Sequence, residues 1–164
     1  MSQIRAFEGL VPSIDPEAWL DPLSLVIGDV RIGARSSIWP GSIVRGDINR
    51  IRIGADTNIQ DGCILHISHD GPFMPGGSPL LIGDRITVGH KVILHGCQIH
   101  DECLIGMGAI VMDRAVIETG VMLGAGALVP PGKVLRSGFL YTGTPARQTR
   151  PLTDRECEYF RYSA

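Results

Sequence analysis

The chain is expected to fold as an all-β protein, a parallel β-helix of triangular turns with a short C-terminal α-helix. Three observations lead there. An aliphatic residue returns at every sixth position, glycine often follows it, and aromatics make up only 5% of a chain with 21 glycines. A period of six is neither the 3.6 of a helix nor the alternation of an ordinary strand. It is the signature of hexapeptide turns, each supplying one short strand and one corner. Such a turn buries its aliphatic side chains only by stacking on the next.

The elements follow in order. A lead over about residues 1–19 is expected to be irregular, with prolines at 12, 16 and 22 around it. The β-helix then runs over about 20–138. Its beat opens at Val26, Ile32, Ile38 and Val44, resumes at Ile53, Ile59 and Leu65, and again at Ile82, Val88 and Leu94. The last run is unbroken: Ile99, Ile105, Val111, Ile117, Leu123, Val129, Leu135. With three hexads to a turn, Ile32-Ile38-Val44, Ile53-Ile59-Leu65, Ile82-Val88-Leu94, Ile99-Ile105-Val111 and Ile117-Leu123-Val129 stack in register. The gaps fall at corners. Asp47 to Arg52 absorbs a short insertion, and the Gly- and Pro-rich stretch from His66 to Leu81 is a projecting loop. The beat is expected to stop after Leu135. A turn-rich exit segment and helix fill about 139–164, where Thr153-Asp154-Arg155-Glu156 is a capping box opening a helix through Tyr162. That helix would shield a flank or end of the solenoid. The 164 residues read as a single domain, 1–164.

Composition narrows the function. A net charge of −2 leaves no basic footprint for nucleic acid and no polybasic patch for a membrane. No window approaches a membrane span, and the N-terminus has no signal-peptide pattern. Cys63, Cys97, Cys103 and Cys157 form no CxxC pair and read as reduced, mostly packed thiols of a cytoplasmic protein.

The chemistry is expected around Val88 to Gly96, which holds two of the five histidines. Stacking turns spacing into columns. Arg45, His66 and His95 each follow the third beat of their turn, so they share one face, and rungs lie about 4.8 Å apart. His66 and His95 are then close enough to ligate one ion. His90 follows the second beat by two positions, which puts it near another face. The economical resolution is a second subunit whose His90 meets the first subunit's His66 and His95. Such a heterologous contact closes a three-sided prism as a homotrimer with three interface sites. Three histidines leave a position open for water, as catalytic zinc requires. Around them, Arg45 and Asp47 read as an ion pair. Gln60 and Asp61 are expected to point outward next to His66, Gln60 holding water at the metal and Asp61 orienting a neighbouring group. Asn58 reads as a corner residue satisfying a turn. His69 is a candidate proton shuttle on the loop, and His100 reads as a surface group.

Together, Arg45-Gly46-Asp47, Asn58-Ile59-Gln60-Asp61-Gly62, His66 and Gly89-His90-Lys91-Val92-Ile93-Leu94-His95-Gly96 make the chain resemble the γ-class carbonic anhydrase family of left-handed β-helix trimers. The resemblance covers roughly residues 10–150 and is nearest to the bacterial branch, including the Leu140-Tyr141-Thr142-Gly143-Thr144-Pro145-Ala146 exit. It implies His66 and His95 from one subunit and His90 from its neighbour as metal ligands, for Zn2+ or alternatively Fe2+ or Co2+. It also implies an Arg45–Asp47 interface pair, a water-positioning Gln60, an active-site role for Tyr141, and a lyase that hydrates carbon dioxide, a small-molecule substrate. The best-characterised members carry glutamates for proton transfer after the Arg-x-Asp motif and on the loop. Here those places hold Ile48 and, on the loop, His69 and Asp70. Three other functions fit the sequence: a metal-dependent thioesterase, a CoA-dependent hexapeptide acyltransferase with a histidine base, and a catalytically weak metal-binding trimer.

Overall fold

Three columns of inward aliphatic side chains carry the computed structural model, which describes residues 3–164. Met1 and Ser2 of the expected lead lie outside the described residues. The first column stacks Ile32, Ile53, Ile82, Ile99, Ile117 and Leu135 in parallel register. The second stacks Ile38, Ile59, Val88, Ile105 and Leu123. The third stacks Val26, Val44, Leu65, Leu94, Val111 and Val129. None of these side chains is more than 4% exposed, so the observed coils are the expected ones. The product is a parallel β-solenoid, with the long strands Leu25–Ile32 and Ile43–Ile53 running through the corner that joins the third column to the first.

A second inward position completes the core. Two residues before each beat sit Cys63, Cys97, Cys103, Ala109, Ala115 and Ala127, all essentially inaccessible to solvent. The same position also takes larger aliphatic side chains, since Ile51, Leu80, Ile86, Val92 and Val121 are buried there too. Serine and threonine also serve there because their hydroxyls reach a neighbouring rung: Ser36 Oγ donates to the Gly54 carbonyl and Ser42 Oγ to that of Gln60. The packing of three cysteines therefore follows from their offset. A thiol behaves as a small apolar filler, and burial pushes the Cys63 thiol up to about 11.

The ends depart from expectation. The lead is not irregular: Ile14 and Leu20 pair with Ile32 and Ile38 and continue the six-residue beat back from Val26. Its prolines do not interrupt this, because Pro12, Pro16 and Pro22 fall between strands, where no ladder N–H is required. Nor does the beat stop at Leu135. Tyr141 takes the next inward place above Leu123, with an aromatic ring where the pattern called for an aliphatic chain. Strand Phe139–Thr142 then turns back into Arg147–Pro151 as an antiparallel pair.

The helix forms at Asp154–Ser163 with the expected capping box at Thr153 and Glu156. It covers a flank of the second column, where Phe160 is buried and Asn58 Nδ2 donates to the Ser163 carbonyl at 2.8 Å. Asn58 thus anchors the helix instead of satisfying a turn. No helix among the described residues is long and apolar enough to cross a membrane.

Candidate functional site

His95 lies directly over His66 in the third column, each at the end of an Ile-Leu-His strand. The inward Leu65 and Leu94 fix the strands, and alternation aims both imidazoles outward. His66 Nδ1 and His95 Nε2 face each other at 3.2 Å. The outer nitrogen of each ring meets a carboxylate: His66 Nε2 is 2.9 Å from Asp47 Oδ1, and His95 Nδ1 is 3.0 Å from Asp113 Oδ2. A carboxylate can only accept, so each outer nitrogen carries the proton and donates it. Both inner nitrogens are then left with bare lone pairs directed at the same gap. Two acceptors at hydrogen-bond distance with no hydrogen between them repel, and a cation relieves that. Two ligands on a tetrahedral ion bound at about 2.0–2.1 Å lie about 3.3 Å apart, close to the observed separation.

Electrostatics keep His66 ready. Burial lowers the His66 pKa below that of ordinary imidazole and outweighs the opposing pull of Asp47, so the neutral, ligating form is favoured. Burial would raise Asp47, but hydrogen bonds from His66 and Arg45 hold it below the usual carboxylate range. Arg45 and Asp47 form their ion pair within one chain. The Gly46 between them is required by packing: a Cβ there would meet the Asp29 carbonyl oxygen at 2.7 Å.

His90 is apart from this pair. It sits on the corner after the second column, 51% exposed, with Nδ1 3.0 Å from Asp61 Oδ2. Lys91 beside it adopts φ 57° to turn the corner. Among the described residues, no group of three or more His, Cys, Asp or Glu could hold a metal ion. One chain therefore supplies two histidines on one face and a third on another.

Some placements differ from expectation. Asp61 contacts His90, not His66, and Gln60 belongs to that same corner. The reason is register: both follow the second beat at Ile59, as His90 follows Val88, whereas His66 follows the third. Tyr141 is buried, and its hydroxyl accepts from the Arg136 amide at 2.8 Å, far along the second column from His90. His69 and Asp47 both line a cavity of about 570 Å³, with Phe7, Leu10 and Ile48. His100 is exposed on the first column. Asp113 was not among the residues expected here. Its signal was its offset, one rung beyond His95 on the third-column corner.

Comparison with known proteins follows the same outline. The bacterial transferase hexapeptide model, of six repeats, matches residues 96–131. Protein YrdA of Escherichia coli is 50% identical over 161 residues, covering 98% of this chain and 88% of that one. The mitochondrial γ carbonic anhydrase 1 of Arabidopsis thaliana is 45% identical over 154 residues, 93% of this chain but 55% of that longer protein. The crystal structure of a hexapeptide transferase family protein from Anaplasma phagocytophilum superposes with a TM-score of 0.89 at 41% identity, covering 98% of this chain and 90% of that one.

Proposed function

Because this chain belongs to the left-handed β-helix family of hexapeptide-repeat proteins that includes YrdA and the γ carbonic anhydrases, we propose that it is a metal-dependent enzyme hydrating carbon dioxide at a site shared between two copies. The observation that carries this reading is the pair of facing imidazole nitrogens, His66 Nδ1 and His95 Nε2, each left without a proton because a carboxylate behind the ring accepts from the other nitrogen. His90 of a neighbouring copy would complete a three-histidine set, and its Nδ1 is already engaged by Asp61, leaving Nε2 free. A divalent ion held there supplies Lewis acidity that brings the pKa of water towards neutrality, which is the chemistry the reaction requires.

The chain's own residues do the rest. Asp47 and Asp113 hold the protons of the outer nitrogens and so orient both rings. Arg45 balances the charge of Asp47. Gln60 and Asp61 arrive at the site with His90, from the neighbouring copy, where Gln60 offers an amide to orient water. His69 lines the same cavity as Asp47 and is the proton acceptor of this reading. Imidazole donors suit Zn2+ and also accept Fe2+ or Co2+. Support for a homotrimer comes from the face itself: Ile64 and Ile93, each 38% exposed, lie on the outward side two residues before His66 and His95 and present an aliphatic strip to a second copy. Three buried thiols agree with a cytoplasmic location.

The test is to strip the protein with a chelator, reload it with Zn2+, and follow carbon dioxide hydration and bound metal together. The reading expects about one ion per chain, with activity lost on stripping and regained on loading. Hydration indifferent to metal would refute it. Acyl transfer from acetyl-CoA that survives chelation would favour the transferase reading suggested by the matching family model.

A further inference from the structure

We infer that Asp113 is a positioning residue, fixing the His95 imidazole as its Nδ1–H tautomer and tying that ring to the root of the 67–79 loop. The purpose of this arrangement rests on the proposed ligand role of His95; its geometry does not. Asp113 lies one rung beyond His95, with a side chain only 17% exposed. His95 Nδ1 is 3.1 Å from its Oδ1 and 3.0 Å from its Oδ2, and Oδ1 also accepts from Ser68 Oγ at 2.7 Å. With both carboxylate oxygens turned to the ring, Nδ1 must donate. The lone pair is thereby placed on Nε2, the atom facing His66. Free histidine prefers the opposite tautomer, so the contact selects a state that the isolated side chain disfavours.

The same two-residue segment holds the loop. Ser68 and Ser78 close its base as an antiparallel bridge. The Arg114 amide lies 3.2 Å from Ser78 Oγ, and Arg114 Nη2 donates to the Pro75 carbonyl at 2.7 Å. Asn49 Nδ2 adds a bond to the Ser68 carbonyl from the strand that carries Asp47. Residues 113 and 114 therefore set the ring orientation and the loop position together. Gly96 makes the approach possible, since a Cβ there would meet Asp113 Oδ1 at 2.5 Å.

The test reads the tautomer directly. Long-range 1H–15N correlation on metal-free wild-type protein, above the imidazole titration range, distinguishes the two neutral forms, and His95→Gln assigns the signal. The expected pattern is protonation at Nδ1. Asp113→Ala should shift His95 to the Nε2–H form or a mixture, and should weaken Zn2+ binding about 10–100-fold in competition with a chelating dye. Asp84→Ala removes a corner carboxylate that accepts from the Ala55 amide on the first column, and it should move neither readout. Wild-type His95 protonated at Nε2 overturns the inference, as does an unchanged tautomer in folded Asp113→Ala. If that variant does not fold, the wild-type spectrum alone decides. Protein that shows the expected tautomer yet binds no zinc refutes the metal reading and leaves the positioning role standing. Zinc binding with the wrong tautomer refutes the positioning role alone.

Discussion

Replacing Gly96 with alanine probes the tightest corner of the site. Most corners step six residues from beat to beat, but Leu94 to Ile99 is a step of five, closed by Gly96 at φ +52°. The dihedral is the smaller part of the cost. Lys91 holds φ 57° one corner earlier, and a side chain in that region costs about 1–2 kcal/mol. Crowding is the larger part. The new Cβ would lie 2.5 Å from Asp113 Oδ1, 2.9 Å from Ser78 Cβ and 3.0 Å from the Ser78 carbonyl oxygen. Ser78 is held in the bridge to Ser68, so Asp113 must yield, and it then gives up its bonds from Ser68 and His95. Each hydrogen bond to a charged group contributes about 1.5–3 kcal/mol, so losing both, with the dihedral cost, amounts to roughly 4–8 kcal/mol. Urea unfolding at fixed chain concentration measures it, since association would otherwise shift the apparent stability. A loss below about 2 kcal/mol, no more than the dihedral alone accounts for, would refute the claim that Asp113 is fitted against this corner.

Other predictions are independent of that corner. The Glu156 carboxylate is held at about 2 by hydrogen bonds from Arg150 and then from the Thr153 amide. Because its folded pKa is depressed, the stabilisation is complete above the ordinary glutamate range and is lost as pH falls towards 2. Hydrogen exchange over 154–163 should therefore rise across that window in the wild type, while Glu156→Gln should be loosened already at neutral pH and show no such transition. The thiols should divide in a native Ellman titration: Cys157, exposed on the helix, reacts quickly, while Cys63, Cys97 and Cys103 react only after unfolding. Fast native reaction of more than one thiol would contradict the packing of the second inward position.

Much of the fold was legible because a solenoid converts counting into geometry. A residue's offset from its beat sets its column, which is why the stacking of His95 on His66 could be read from Leu65 and Leu94 alone. The same rule explains what was misplaced. Gln60 and Asp61 are near His66 in sequence but follow a different beat, so the structure gives them to the His90 corner. Ile14 and Leu20 kept the beat in the lead, but the surrounding prolines suggested disorder of pattern where they only mark corners. Tyr141 kept it with a ring that an aliphatic pattern passes over. Asp113 was harder to find, because its partner is one rung away and Gly96 had to be recognised as the space it occupies.

The central claim is that the site is divided between chains, and subunit mixing tests it most directly. His90→Ala retains the His66–His95 half and His95→Ala retains the His90 half, so each alone should bind no zinc tightly. Unfolded together in equal amounts and refolded, they should regain about a quarter of the wild-type zinc and hydration activity, the share of interfaces at which two intact halves meet in a randomly mixed trimer. Mixing His66→Ala with His95→Ala, both damaged in the same half, should restore nothing. No recovery in the first mixture, or equal recovery in both, would contradict the divided site.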